Sequence, residues 1–148
     1  MSAVVESRAR GGAQLPLLGD TDDARIVAWR SGRPIDTGSF LADVAAIAAE
    51  LPERTCAINL CEDRYAFLAA FCAIASRGQT NLLPAARTPA AIAETLTAYP
   101  GSYALGDSDA FGASVRRIPA LGANGRATTV PRIDAAQTVA IGFTSGST

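Results

Sequence analysis

The chain has 148 residues, 49% of them hydrophobic and 18% charged, and a formal net charge of −1. That length supports one domain with its own core, and that composition excludes a disordered chain. All 13 basic residues are Arg, and only Arg116 and Arg117 are adjacent, so no basic patch marks a nucleic-acid binder.

Residues 1–23 carry no sustained period and are broken by Gly11, Gly12 and Pro16. They read as a mobile arm with one short docked turn near residues 15–18. Residues 24–29 (A-R-I-V-A-W) form the first expected strand, with Trp29 as a packing residue. Ser31, Gly32 and Pro34 supply a turn, and Ile35 and Asp36 return antiparallel. A helix follows, with Ser39 as its N-cap, Phe40, Val44, Ile47 and Leu51 at helical spacing, and Pro52 as its stop.

From Thr55 onward the elements alternate. Residues 55–61 (T-C-A-I-N-L-C) read as a strand. Glu62 and Asp63 then open a helix whose buried face is Tyr65, Leu68, Phe71, Cys72 and Ala75, with Gly78 closing it. Residues 80–83 (T-N-L-L) make a short strand ended by Pro84. Thr88 and Pro89 are a strong helix start, an N-cap followed by Pro at the first helical position. Ile92, Leu96 and Tyr99 are that helix's stripe, and residues 102–105 (S-Y-A-L) are the next strand. Short connections in this order predict an α/β fold, with βαβ units and a mostly parallel sheet flanked by helices.

The charged trio Glu62, Asp63 and Arg64 stands at a strand's C-terminal end, where α/β ligand sites gather, but a helix cap with solvated charges explains it. Residues 106–137 are the least legible. Asp107, Ser108 and Asp109 read as a turn, residues 114–118 as a strand, and Asn124 with Gly125 as another turn. Asp107 and Asp109 lack further ligands for a metal, so loop chemistry is the reading preferred there. Cys56, Cys61 and Cys72 match no zinc spacing, the chain has no His, and all three thiols read as small buried hydrophobes. An odd Cys count suits a reducing cytoplasm. The longest apolar stretch, residues 65–75, is too short for a bilayer, and no apolar signal core follows Arg8 and Arg10.

The most informative stretch is the last. Val139, Ala140, Ile141 and Phe143 read as a strand buried on both faces of a sheet. They feed five residues that are only hydroxyl or glycine: Thr144, Ser145, Gly146, Ser147 and Thr148. Such a loop can wrap a polyphosphate, with glycine admitting close backbone approach and hydroxyls donating to phosphate oxygens. Neither a Walker lysine nor a G-x-G-x-x-G run is present.

Residues 141–148 (I-G-F-T-S-G-S-T) resemble the opening of the phosphate-loop signature of the AMP-forming adenylating enzymes. That superfamily includes acyl-CoA synthetases, peptide-synthetase adenylation domains and luciferases. Residues 59–65 (N-L-C-E-D-R-Y) and 77–84 (R-G-Q-T-N-L-L-P) resemble the family's early segment more weakly. In the family the signature continues with Gly, a variable residue, Pro and Lys. The expectation is therefore an N-terminal fragment, with residues 24–148 forming an incomplete AMP-binding domain.

The resemblance implies an ATP-dependent ligase that activates a carboxylic acid as its acyl-adenylate. The thiol acceptor it implies is coenzyme A or the phosphopantetheine of an acyl carrier protein. Residues 144–148 would hold the departing phosphates, and Thr144 would reach Mg²⁺. The isolated chain is expected to be inactive. Two other readings stay open, a small non-catalytic α/β module for a phosphate-bearing ligand and an interaction domain indifferent to nucleotides.

Overall fold

The computed structural model describes residues 12–19 and 22–145. In chain order the elements are β1 (Gln14–Pro16), β2 (Ile26–Arg30), β3 (Arg33–Asp36), α1 (Thr37–Glu50), β4 (Cys56–Asn59) and α2 (Arg64–Ser76). They continue with β5 (Thr80–Leu83), α3 (Pro89–Ala98), β6 (Ser102–Gly106), β7 (Arg116–Arg117), β8 (Arg132–Asp134) and β9 (Ala140–Gly142).

The centre is a five-stranded sheet in the order β7-β6-β4-β5-β9, and every pairing in it is parallel. Parallel neighbours need a crossover, which α2 supplies between β4 and β5 and α3 between β5 and β6. Because β5 and β6 lie on opposite sides of β4, successive crossovers run in opposite directions, and the two helices cover opposite faces. Ala57, Cys61 and Leu105 pack with α1 and α2, whereas Ile58, Leu60, Leu82 and Ala104 pack with Ile92 of α3. Burying each larger apolar side chain is worth about 1.5–3 kcal/mol. The mostly parallel α/β architecture expected from the alternating pattern is the one observed.

The β2–β3 hairpin turns through Ser31 and Gly32, at φ 49° and 74°. Both central residues of such a two-residue turn need positive φ, so a glycine is required where a side chain would be strained. Pro34 lies within β3, not in the turn. Trp29 is a correction: it is 67% exposed on the hairpin's outer side, opposite Pro34. The register of the strand shifts between Ile26 and Ala28, so the consecutive residues Val27 and Ala28 both pack on the core and Trp29 turns outward.

Further expectations change for identifiable reasons. The cap of α1 is Asp36, whose carboxylate accepts from the Ser39 amide at 2.8 Å, so Ser39 lies in the first turn. In α2, Leu68 is 38% exposed and Phe71 half-buried, while Ala66, Ala69, Ala70, Ala73 and Ile74 are wholly buried. The helix is wedged between the sheet and α1, so small residues take both contact sides and bulky ones rotate outward. Residues 14–16 dock as a strand against β8, over a hundred residues away, a pairing no local pattern announces. The strand expected at 114–118 shortens to Arg116–Arg117. Lastly, β9 is a half-buried edge of the described sheet, not a strand buried on both faces. No helix among the described residues is long and apolar enough to cross a membrane.

Candidate functional site

Strand β9 is fixed by its parallel backbone pairing with β5 and by side chains of that neighbour. The Thr80 hydroxyl donates to the Thr138 carbonyl at 2.7 Å, and the Asn81 side-chain amide donates to Val139 O at 3.1 Å and to Phe71 O of α2 at 3.2 Å. Gln137 donates to Ala75 O at 2.9 Å, tying the approach to the strand onto the end of α2. At the exit, the Phe143 amide donates to Leu83 O at 3.0 Å, and its ring meets Tyr99 edge-on at 5.7 Å. The chain therefore leaves the sheet's C-terminal edge with a set direction.

Thr144 and Ser145 are both exposed at this exit. They form one wall of a cleft of about 320 Å³, with Ala91, Glu94, Thr95 and Ala98 of α3 opposite. Gly146, Ser147 and Thr148, the rest of the sequence-derived loop, lie outside the described residues. Small residues on the helix wall leave room for a ligand, and Glu94 is the single acid lining this cleft. Hydroxyl donors facing one carboxylate suit a phosphate already neutralised by a divalent cation better than a bare anion.

The topological switch point lies elsewhere, between the ends of β4 and β6, and it is already filled. Asp107 accepts from the Glu62 and Asp63 amides, each at 2.9 Å, taking the position an anion would occupy at the start of α2. Glu62 accepts from Ser108 at 3.0 Å, and Asp63 caps α2 by accepting from the Ala66 amide at 2.8 Å. Asp63 also lies 3.5 Å from Arg30, and Asp109 pairs with Arg117 at 2.7 Å. The trio at 62–64 is thus a cap and loop staple. Among the described residues no group of three or more His, Cys, Asp or Glu is placed to hold a metal.

A third polar centre escaped the sequence reading. Asp43, 1% exposed, accepts from the Tyr65 hydroxyl at 2.6 Å, the Gly122 amide at 3.0 Å and the Asn124 side chain at 2.7 Å. Burial, then the Asp43 hydrogen bond, pushes the Tyr65 hydroxyl far above its usual range. These contacts bind the segment around 120–127 to α1, a structural clamp and not a reactive pair. The one visible signal was an acid inside the apolar stripe of α1. All three thiols are free, and two are held in the unreactive protonated form: Cys61 is pushed up to about 12 and Cys72 to about 11, in each case by burial first. Cys56 is half-buried, less enclosed than expected.

No protein-family model matches the sequence, and no curated protein matches it. Solved structures do share its fold. One is o-succinylbenzoate CoA synthetase (MenE) from Bacillus subtilis, in complex with the acyl-adenylate intermediate OSB-AMP. It is 18% identical, with a TM-score of 0.68, over 92% of this chain and 40% of that one. Another is the N-terminal subdomain of Klebsiella oxytoca NpsA in complex with 3-hydroxybenzoyl-AMSN, 18% identical, with a TM-score of 0.60, over 84% of this chain and 34% of that one. The chain therefore has the fold of the N-terminal subdomain of adenylating enzymes and spans about a third to two-fifths of the length of these structures.

Proposed function

We propose that the chain is the N-terminal part of an ATP-dependent, AMP-forming acid–thiol ligase, with residues 24–148 as part of its AMP-binding domain and residues 1–23 as an arm. The observation that carries this reading is a parallel strand, in the adenylating-enzyme fold, delivering exposed Thr144 and Ser145 to the sheet's C-terminal edge. The acyl-adenylate in the MenE structure supports the same chemistry.

In this reading Thr144, Ser145, Gly146, Ser147 and Thr148 would hold the β- and γ-phosphates, and the Thr144 hydroxyl would reach Mg²⁺. ATP supplies an electrophilic α-phosphorus and a pyrophosphate leaving group. The chain's own contribution is positioning. Thr80 and Asn81 fix the strand, the Phe143–Tyr99 contact fixes the exit, and the hydroxyl donors then stand ready as charge grows on the leaving group. The carboxylic acid would attack in a site built by other parts of the fold. The acyl group would then pass to coenzyme A or to the phosphopantetheine of an acyl carrier protein, in the cytoplasm.

The test is to read the coding sequence past the Thr148 codon. A continuation as Gly-x-Pro-Lys is expected, followed by carboxylate-dependent AMP and pyrophosphate formation by the whole polypeptide and none by these 148 residues. An immediate stop codon would favour the non-catalytic alternatives. Micromolar ATP binding by the chain itself would then identify a phosphate-binding module, and indifference to nucleotides an interaction domain.

A further inference from the structure

Helix α3 separates two clefts of opposite character. On its β9 side lies the cleft of Thr144 and Ser145, whose one charged residue is Glu94. On its other flank, between α3 and the β6–β7 crossover, is a cavity of about 290 Å³. Its walls are Ile92 and Leu96 of the helix with Phe111 and Val115 of the crossover. Arg87 and Ser114 are its polar lining residues, and no acid lines it.

Arg87, like Arg116 and Arg132, is held by a backbone carbonyl and not by a carboxylate. Arg30, Arg77, Arg117 and Arg126 each pair with a carboxylate. Arg87 instead donates through Nη1 to the Cys61 carbonyl at 3.1 Å, a neutral acceptor that anchors the guanidinium without cancelling its charge. Among the described residues no carboxylate lies within ion-pair distance of it. The remaining donors form a planar fork, the geometry that matches a carboxylate in two parallel bonds. Arg87 follows β5 and the crossover follows β6, so the cavity sits beside the C-terminal ends of the central strands. Asp107 fills the crevice between β4 and β6, but it does not line this cavity.

We infer that this cavity is a binding site for a small carboxylate with a ring-sized apolar body. Arg87 and Ser114 hold the carboxylate, and Ile92, Leu96, Phe111 and Val115 enclose the body. One unpaired cation with no acid selects a monoanion. The apolar walls disfavour a short hydrophilic acid, and the volume stands at the lower end for small-molecule pockets, which limits the body to about one ring. The site is separate from the phosphate loop and stands or falls independently of the ligase reading.

The experiment is an amide-resolved NMR titration of the 148-residue chain with benzoate, against benzyl alcohol (no charge) and acetate (no apolar body). Saturable shifts centred on Ile92, Leu96, Phe111 and Val115, larger for benzoate than for either control, are expected. Arg87→Gln should weaken benzoate binding about tenfold or more, the worth of a hydrogen bond between charged groups. Ala93→Leu, which fills the cavity from the exposed side of α3, should abolish it. Arg64→Gln, on the exposed start of α2, should leave it unchanged. The inference is overturned by equal shifts with benzyl alcohol, indifference to Arg87→Gln, shifts centred on Thr144 and Ser145, or no saturable shift.

Discussion

On one face of the sheet Ala66, Ala69, Ala70 and Ala73 of α2 are wholly buried, whereas on the other face α3 buries only Ile92 and Thr95. Two helices share the first face. Small side chains let their backbones approach closely, and the remaining space is closed by Phe40, Val44 and Ile47 of α1. A single helix and a set of loops share the second face, and residues such as Leu96, Phe111, Val115 and Phe143 are left half-buried there. The first face is the more densely packed; the clefts of about 320 and 290 Å³ flank α3 on the second, while a larger cavity of about 650 Å³ opens at the hairpin end of the first, beside Arg30, Asp43 and Tyr65.

The largest effect that separates the faces is expected at Asp43. Asp43→Ala would leave the Tyr65 hydroxyl, the Gly122 amide and the Asn124 side chain without their acceptor. The expected cost is about 3–5 kcal/mol in urea unfolding, because buried donors keep their desolvation penalty when the acceptor is removed. Tyr65→Phe removes one donor along with its bond and should cost about 1–2 kcal/mol. A loss below 1 kcal/mol for Asp43→Ala would mean that the segment around 120–127 is held to the dense face by its other contacts, the Ala127 amide on Gly38 O and Arg126 on Asp36, and not by Asp43.

A pair of matched substitutions tests the packing itself. Ala70→Leu inserts an isobutyl group into a site with no exposure and should cost about 1–3 kcal/mol through overpacking. Ala93→Leu makes the same change on the exposed, cleft-side surface of α3 and should stay within about 0.5 kcal/mol. Equal costs by thermal denaturation would erase the distinction between the faces.

Legibility in the sequence follows the same division. Helix starts were readable where local chemistry decides them: Thr88 caps α3 and Asp63 caps α2 as their positions imply. The strands at 55–61, 80–83 and 102–105 were readable because β-favouring runs ended at turn residues. What depended on distant partners was not. Nothing near Gln14 announces β8, nothing near Asp43 announces Gly122, and a helix packed on two sides conceals which of its residues face inward. At the candidate site, the existence of the strand and the exposed hydroxyls of Thr144 and Ser145 were legible, but not the strand's half-buried edge position or the contribution of Asn81. A polar residue within T-N-L-L was the only signal of the side chain that joins α2, β5 and β9.

The smallest expected effect concerns the outer edge of the dense face, where Asp36 caps α1 and pairs with Arg126. The Ser39 amide first, and Arg126 second, favour the charged form and hold the Asp36 carboxyl down from 3.8 to about 2. A carboxylate lowered in the folded state contributes fully above its ordinary value, and that contribution fades as pH falls through 3.8 toward about 2. Asp36→Asn keeps an equally good cap but loses the ion pair. The variant should be slightly less stable at neutral pH and should lose less stability across that acid window, so that the two curves draw together near its lower end. Added salt should shrink the neutral-pH difference, since the pair is exposed to solvent. Parallel pH profiles would show that Arg126 lies beside α1 without holding it, leaving Asp43 and the Ala127 amide, which donates to Gly38 O at 2.9 Å, to keep the 120–127 segment on the dense face.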